Sequence, residues 1–332
     1  HDLVEIAHAR MGICGRARRI EFHRGRHARL EGVGDVGCFG AEDFETPNLD
    51  RMADEGMRFT SFYVAQAVCG ASRAALLTGC YPNRIGMLGA PSHRSKHGIN
   101  ANEVLIPEVC KQKGYATAMY GKWHLGHHQP FLPMQHGFDD YFGLPYSNDM
   151  WPYHPERPDA YPDLPLFDGN EVANPKVTPE DQVWLTTWYT ERAVKFIDEH
   201  HQEPFFLYLP QAMPGSTRAP YASDDFRGKS QNGPWGDSVE ELDWSMGEIL
   251  KALKRLDLEE NTLVIWTSDN GAPRRNPPQG SNRPLKGWGY DTSEGAMRVP
   301  CIVRWPGRVP EGVVCDELCT SMDLYPTFAR LA

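Results

Sequence analysis

The stretch that decides the fold of this chain is residues 68–84, Val-Cys-Gly-Ala-Ser-Arg-Ala-Ala-Leu-Leu-Thr-Gly-Cys-Tyr-Pro-Asn-Arg. Small and apolar residues follow Cys69 and Gly79 can end a helix, so the pattern predicts a helix that begins near Cys69. The unpaired N–H groups at a helix start carry partial positive charge. Arg73 lies one turn later on the same face and adds a permanent cation. The spacing therefore predicts an anion held against residue 69.

Taken alone, these two residues also allow a second interpretation. Buried free cysteines are common in protein cores, and an arginine one helical turn away can be a surface charge. The choice between the two interpretations depends on motifs elsewhere in the chain.

The composition excludes several classes of partner. With 332 residues, of which 40% are hydrophobic and 23% charged, the chain has the size and composition of a globular protein with a large core. No apolar run approaches the ~20 residues of a membrane span. The formal net charge of −10 argues against nucleic acid or an anionic membrane as a partner. If the ligand is an anion, the positive charges that attract it must therefore be clustered at the binding site.

The eight cysteines give little information about the cellular compartment. They form no Cys-x-x-Cys pair and no zinc-ligand spacing. The one closely spaced pair, Cys315 and Cys319, is typical of packing within a helix or strand. Cysteine usage does not decide the redox compartment.

From Thr46 onward, helix and strand patterns alternate. This alternation predicts an α/β fold with a large, mainly parallel central sheet and helices on both faces. Ligands of such sheets bind beyond the carboxyl ends of the strands. Residues 127–178 are rich in Pro, Tyr, Asp and His without a period, which predicts an ordered surface excursion near the site.

Two polar motifs follow predicted strands. Residues 121–126 read Gly-Lys-Trp-His-Leu-Gly, and Lys122 and His124 project in the same direction from an extended turn. Alone, this motif can be a surface loop anchored by its tryptophan. Asp269 and Asn270 end an apolar strand and offer the oxygen ligands that a calcium-type ion prefers, although Asp-Asn-Gly is also a common turn.

Taken together, residues 69–82, 121–126, 136–149 and 269–270 resemble the motifs of the type I, formylglycine-dependent sulfatases, an arylsulfatase family of the alkaline-phosphatase superfamily. The resemblance covers residues 34 to 332 and implies an α/β sandwich. It implies that Cys69 is converted to formylglycine by a formylglycine-generating maturase. The commonest family motif has proline where this chain has Ala71, which leaves open which maturation system acts.

The resemblance also implies the roles of the site residues. Cys69, Arg73, Lys122 and His124 are expected to be catalytic. A calcium ion is expected on Asp269, Asn270 and the modified residue 69. Ser147 matches a position that can contact substrate.

The reaction implied by the resemblance is hydrolysis of a sulfate monoester, of a small molecule or a glycan, with S–O cleavage. One hydroxyl of the hydrated aldehyde attacks sulfur, and the second expels sulfate with His124 assisting. The family resemblance also implies a periplasmic or secreted location. Trp151, Tyr153 and His154, in the predicted rim of the pocket, fit sugar sulfates.

Two site positions depart from the family pattern. Relatives carry a sulfate-binding histidine where this chain has residues 213–220 without one, and Arg218 is the best-aligned replacement. Relatives place a lysine where Gly289 stands, and Lys286, three residues earlier, has a side chain long enough to reach the same pocket.

The start of the chain departs further. Residues 1–33 are basic, without a strand-like run, and the Asp-Asp pair of the family's opening strand, two of its metal ligands, is absent. Read one base later, codons for residues 21–30 can spell a strand-like segment that contains one aspartate. We hypothesise that residues 1–33 are an aberrant, frame-shifted segment. Residues 34–332 are then a truncated N-terminal catalytic domain whose C-terminal subdomain is missing.

Two other functions stay open. An inactive sulfatase relative could still bind sulfated glycans, which the missing metal ligands, histidine and lysine favour. A phosphatase or phosphodiesterase of the same superfamily is disfavoured, because those enzymes use serine or threonine as the nucleophile.

Overall fold

The computed structural model describes the backbone of residues 2–5 together with residues 35–42, 45–154, 156–215, 219–274 and 280–332. The strands are β1 (Asp2–Glu5), β2 (Met57–Tyr63), β3 (Ala116–Lys122), β4 (Asp140–Leu144), β5 (Leu166–Asp168), β6 (Glu171–Asn174), β7 (Phe205–Tyr208), β8 (Thr262–Thr267), β9 (Arg298–Arg304), β10 (Val313–Cys315) and β11 (Cys319–Thr320). The helices are α1 (Pro47–Asp54), α2 (Cys69–Thr78), α3 (Ile106–Lys111), α4 (Pro179–His200), α5 (Gly233–Arg255), α6 (Glu294–Met297) and α7 (Leu324–Leu331).

All of these strands belong to one sheet in the order β10-β2-β9-β8-β1-β7-β3-β4-β5-β6, with β11 beside β2. The central strands β8, β1, β7, β3 and β4 are parallel. Antiparallel pairs occur where β9 joins β8 and β2, and at the edge formed by β5 and β6. The predicted fold class, a mainly parallel sheet covered by helices, is confirmed.

The helices form two groups on this sheet. Helix α5 contacts both α1 and α4, and helix α7 contacts both α2 and α3. Helix α4 begins with a capping box, in which Thr178 Oγ1 accepts the Asp181 N–H at 3.2 Å and Asp181 Oδ2 accepts the Thr178 N–H at 2.8 Å. No helix among the described residues is both long and apolar enough to cross a bilayer.

Two sequence expectations about the sheet were wrong. Patterning finds no strand in the first thirty-odd residues, yet β1 pairs in parallel with both β7 and β8. Residues 127–178 are not only a surface excursion, because they contain β4, β5 and β6. Residues 6–34 lie outside the described residues, so the frame-shift hypothesis for this segment stays a hypothesis.

Candidate active site

Helix α2 places Cys69 at its first position and ends at Gly79, whose φ of 67° is left-handed. The start of the helix packs closely on two loops. A Cβ on Gly70 would lie 2.7 Å from Pro91 Cδ and 2.9 Å from His124 O. A glycine at position 70 therefore brings Cys69 against the loop that carries His124.

A cavity of about 290 Å³ lies at the carboxyl ends of β3, β7 and β8. Its volume is near the lower end of small-molecule sites, about 300–1,000 Å³. The structure brings five of the predicted site residues to its wall: Cys69, Arg73, Lys122, Asp269 and Asn270. The helix start and the two strand-end motifs, far apart in sequence, thus converge on one space.

Arg73 and Asp269 form a partly buried ion pair in this wall, since the Arg73 side chain is 7% exposed and that of Asp269 is 24% exposed. Arg73 Nε and Nη2 donate to Asp269 Oδ2 at 2.9 and 2.8 Å, and Nη1 donates to Lys122 O. Burial alone would raise the pKa of Asp269, but the charges of Arg73 and Lys122 outweigh it and hold that pKa below its ordinary value. Arg73 and Lys122 are only 6% and 5% exposed. Two positive charges therefore stand beside one negative charge, and the net positive charge of this part of the wall suits an anion.

The Cys69 thiol is neutral in this setting. Burial raises its pKa, and the charges of Lys122 and Arg73 offset burial only in part. A neutral thiol is a weak nucleophile, because the thiolate is the reactive form.

His124 has a defined proton arrangement. Its Nε2 lies 3.0 Å from Pro91 O, and since a carbonyl only accepts, Nε2 carries the proton. The buried Nδ1 has no partner among the described residues. Burial and the charges of Lys122 and Arg73 hold the pKa of His124 well below its ordinary value. The ring is neutral, with a free acceptor at Nδ1 and a strained backbone φ of 63°.

Asp269 and Asn270 provide only part of a calcium site. The Asn270 Nδ2 donates to Gly271 O at 3.0 Å, and the buried Oδ1 has no partner among the described residues. A calcium ion takes about six to eight oxygen ligands. No group of three His, Cys, Asp or Glu side chains that could hold a metal stands together in the described part of the chain. These residues alone therefore do not fit a complete calcium site.

The residues predicted to bind substrate are not among those that line the cavity in the described part of the chain. Ser147 is buried but does not line the cavity, Lys286 is exposed and does not line it, and Arg218 lies outside the described residues. At Gly289 a Cβ would lie 2.4 Å from Gly271 O. The backbone around Gly289 therefore leaves no room for a side chain at this position.

Sequence reasoning did not identify two residues of the cavity wall. Asp35 Oδ1 accepts the Ser281 N–H at 2.9 Å, and burial raises the pKa of Asp35 to about 7. Asn282 holds two loops of the wall together through its amide. Asp35 lies at the start of the range, residues 34–332, over which the sequence resembles the family, and this position was the one available signal. Asn282 had no signal.

A mainly parallel sheet with an anion cavity at the carboxyl ends of its strands is the architecture of the alkaline-phosphatase-like superfamily. Residues 28–332 match the Sulfatase family model, and the chain belongs to the sulfatase family.

Known relatives agree with this assignment. The chain is 42% identical over 320 residues to N-acetylgalactosamine-6-sulfatase of Canis lupus familiaris, covering 91% of this chain and 60% of the relative. It is 40% identical over 319 residues to human arylsulfatase A, covering 91% and 62%. The crystal structure of the PsFucS1 sulfatase from Pseudoalteromonas sp. superimposes with a TM-score of 0.82 at 31% identity, covering 90% of this chain and 65% of that chain. The chain thus spans about 60% of the length of the curated relatives it matches.

Proposed function

We propose that this chain is the catalytic part of a sulfuric ester hydrolase that cleaves sulfate monoesters. The observation that carries the proposal is the joint position of Arg73 and Lys122 beside Cys69 in one cavity of a sulfatase-family fold. Both cations are buried, so their attraction for the sulfate oxygens is little screened by solvent. The names of several relatives point to sugar sulfates as the substrate class, and a periplasmic or secreted location accords with such substrates.

Conversion of Cys69 to formylglycine supplies the nucleophile in this proposal. The neutral thiol itself is poorly suited to attack, which favours the modification. When formed, the hydrated aldehyde offers one hydroxyl for attack on sulfur and a second for release of sulfate. The partner required is a formylglycine-generating maturase.

The residues of the chain divide the remaining tasks. Arg73 and Lys122 bind the sulfate oxygens and stabilise the charge that develops on them. His124 presents a neutral Nδ1 that can accept a proton from a hydroxyl at position 69. We propose that the part of the substrate that extends beyond Arg73 and Lys122 is contacted by Ser147, Arg218 and Lys286.

Calcium, on Asp269, Asn270 and the modified residue 69, stays a family expectation. Sulfatases generally depend on this ion, but the described residues do not complete its site. No step of the proposed reaction is therefore assigned to a metal.

Co-expression of the chain with a formylglycine-generating maturase tests the proposal. The peptide that contains residue 69 should show the mass change of a thiol converted to an aldehyde, and the purified protein should hydrolyse 4-nitrophenyl sulfate. Cys69→Ala should abolish both results, and Cys80→Ala, a cysteine outside the cavity, should retain them. An unmodified thiol at position 69 despite an active maturase would contradict the proposal.

A second candidate is a protein that binds sulfate esters without turnover. The observation that favours it is Gly289, where the close approach of Gly271 O leaves no room for a lysine. Calorimetric titration with a sulfated sugar separates the two candidates. Converted protein that binds the ester without hydrolysing it supports the second.

A further inference from the structure

Tyr290 is a large aromatic residue that stays half-exposed in the wall of the catalytic cavity. It lines the same cavity as Cys69 and Arg73, and the residue is 48% exposed. Two other aromatic residues of this wall, Tyr208 and Trp235, are buried. Covering an exposed aromatic ring with an apolar surface is favourable, because water is released from both surfaces. Tyr290 is therefore available to a ligand in the cavity.

The backbone of Tyr290 has a strained conformation. Its φ of 77° lies in the left-handed region, which residues with bulky side chains rarely adopt. Tyrosine therefore destabilises this loop relative to glycine, which adopts such angles freely. Residues that their surroundings hold in this region are concentrated at active sites and at sites that clamp a ligand. The strain thus indicates a role for the Tyr290 side chain beyond stabilising the fold.

Two hydrogen bonds fix the backbone at this position. The Tyr290 N–H donates to Ala67 O at 3.1 Å, and Ala67 stands two residues before Cys69. The Gly289 N–H donates to Ala272 O at 2.9 Å, and Ala272 also lines the cavity. The backbone that carries the ring is therefore attached both to the cavity wall and to the segment that leads to Cys69. Tyr290 thus stands close to the predicted nucleophile.

The cavity combines two kinds of surface. Arg73 and Lys122 suit the sulfate group, because its oxygens are all hydrogen-bond acceptors. The ring of Tyr290 offers an aromatic face, which packs well against another apolar face. A pyranose ring presents C–H groups on its faces and an aryl ring presents its π face, so both rings offer such a surface. A sulfate ester whose alcohol half is a six-membered ring therefore matches both parts of the cavity.

We infer that the ring of Tyr290 packs against the face of a six-membered ring in the alcohol half of the substrate and so determines specificity for cyclic sulfate esters. This inference rests on the proposed function. It narrows the substrates to esters of pyranose or aryl rings, in preference to acyclic alkyl sulfates. The contact requires an apolar ring face and no hydrogen bond from the Tyr290 hydroxyl.

Three small esters test this inference. Methyl sulfate has no ring, cyclohexyl sulfate has an aliphatic ring like that of a sugar, and phenyl sulfate has an aryl ring. Calorimetric titration uses the full chain with an unconverted Cys69, so that no turnover occurs. We expect wild type to bind at least one ring ester about tenfold more tightly than methyl sulfate. The ester that gains affinity shows whether the site prefers an aliphatic or an aryl ring.

Variants of Tyr290 separate the ring from its hydroxyl and from the fold. Tyr290→Phe keeps the ring and should retain the preference for the ring ester. Tyr290→Gly removes the ring and relieves the strained φ, so it should withstand urea at least as well as wild type. It should nevertheless bind the ring ester about tenfold more weakly and methyl sulfate as wild type does. Tyr81→Ala should match wild type, because Tyr81 is 56% exposed but lies outside the cavity.

Each result bears on the inference. Equal affinities of wild type for the three esters, or no binding of the ring esters, would overturn it. So would an equal loss of affinity for methyl sulfate and the ring ester in Tyr290→Gly, or loss of the preference in Tyr290→Phe. Turnover of methyl sulfate by converted wild type tests the proposed function separately. Turnover without the ring preference contradicts the inference alone, and the preference without turnover contradicts the hydrolase function alone.

Discussion

Arg73 supports the fold as well as the site. Its guanidinium neutralises Asp269 inside the protein and also ties α2 to the end of β3 through Lys122 O. We expect Arg73→Ala to lower the free energy of unfolding by about 2 kcal/mol, because the partly buried Asp269 carboxylate loses its ion-pair partner and keeps only the nearby charge of Lys122. Urea unfolding measures this loss. Arg73→Lys should lose less stability, and equal stability of Arg73→Ala and wild type would contradict the role of the ion pair.

Asp35 should give the stability of the protein a distinct pH dependence. Burial raises the pKa of Asp35 from 3.8 to about 7. The native state therefore keeps a proton that the unfolded state loses, so the stability contributed by the protonated carboxyl is complete below about pH 4 and is lost as pH rises through about 7. Between pH 5 and pH 8, the free energy of unfolding of Asp35→Asn should rise by about 2 kcal/mol relative to that of wild type, because only wild type loses the contribution of the protonated carboxyl. This value is smaller than the full pKa shift implies, because Asp35 is only partly buried.

Urea unfolding of the Asp35→Asn variant and wild type at both pH values measures this difference. Asp163→Asn, which neutralises an exposed carboxylate, serves as the control and should show no such change. If the unfolding free energies of wild type and Asp35→Asn differ by the same amount at pH 5 and at pH 8, Asp35 ionises in the native state as it does in the unfolded state.

Among the elements, the loops around Gly271 and Gly287 are held by Asn282. Its Oδ1 accepts the Ala272 N–H at 2.8 Å, and its Nδ2 donates to Ala272 O at 2.9 Å and Gly287 O at 3.2 Å. Asn282→Asp replaces the donor with an acceptor that faces two carbonyl oxygens. We expect a loss of about 2–4 kcal/mol in unfolding free energy and weaker binding of inorganic sulfate.

Thermal unfolding and sulfate titration measure the two effects of Asn282→Asp. Asn100→Asp is a matched control, because Asn100 uses only its Oδ1, to accept the Asn102 N–H, and aspartate retains that acceptor. If both variants behave alike, the Asn282 amide does not hold the loops.

Elements with strong local signals were predictable from the sequence. The cap of α4 at Thr178 and the apolar face of α5 are set by residues within a few turns of one another, so local patterns indicate them. Strand β4 was not recognised, because its place depends on a distant backbone contact. A Cβ on Gly143 would lie 1.8 Å from Gly121 O. Such a contact leaves no periodic pattern in the sequence.

The same contrast holds within the site. Cys69, Arg73, Lys122, Asp269 and Asn270 were predicted from their motifs, and they converge on one cavity. The tight contact of Gly289 with Gly271 O and the hydrogen bonds of Asn282 depend on how separate loops pack. The sequence contains the residues for these features but no signal for their environment.

On the scale of the whole molecule, the sheet depends on a strand that patterning did not predict. Strand β1 joins β7 to β8, so among the described strands it alone connects the part of the sheet that carries Lys122 to the part that leads to Asp269. The geometry of the cation pair and its carboxylate is therefore coupled to the place of β1 at the centre of the sheet.

Proline substitution tests the position of β1 directly. Val4 pairs with Leu207 inside the ladder, and Val4→Pro removes a backbone donor from a central strand. We expect Val4→Pro to lower the free energy of unfolding by about 3 kcal/mol or more and to weaken sulfate binding, because the two halves of the site separate. Asp2→Pro places proline at the first residue of the strand, where it is tolerated, and should stay close to wild type. Urea unfolding followed by tryptophan fluorescence compares the two variants. If Val4→Pro is as stable as Asp2→Pro, residues 2–5 do not form the central strand, and another segment must join β7 to β8.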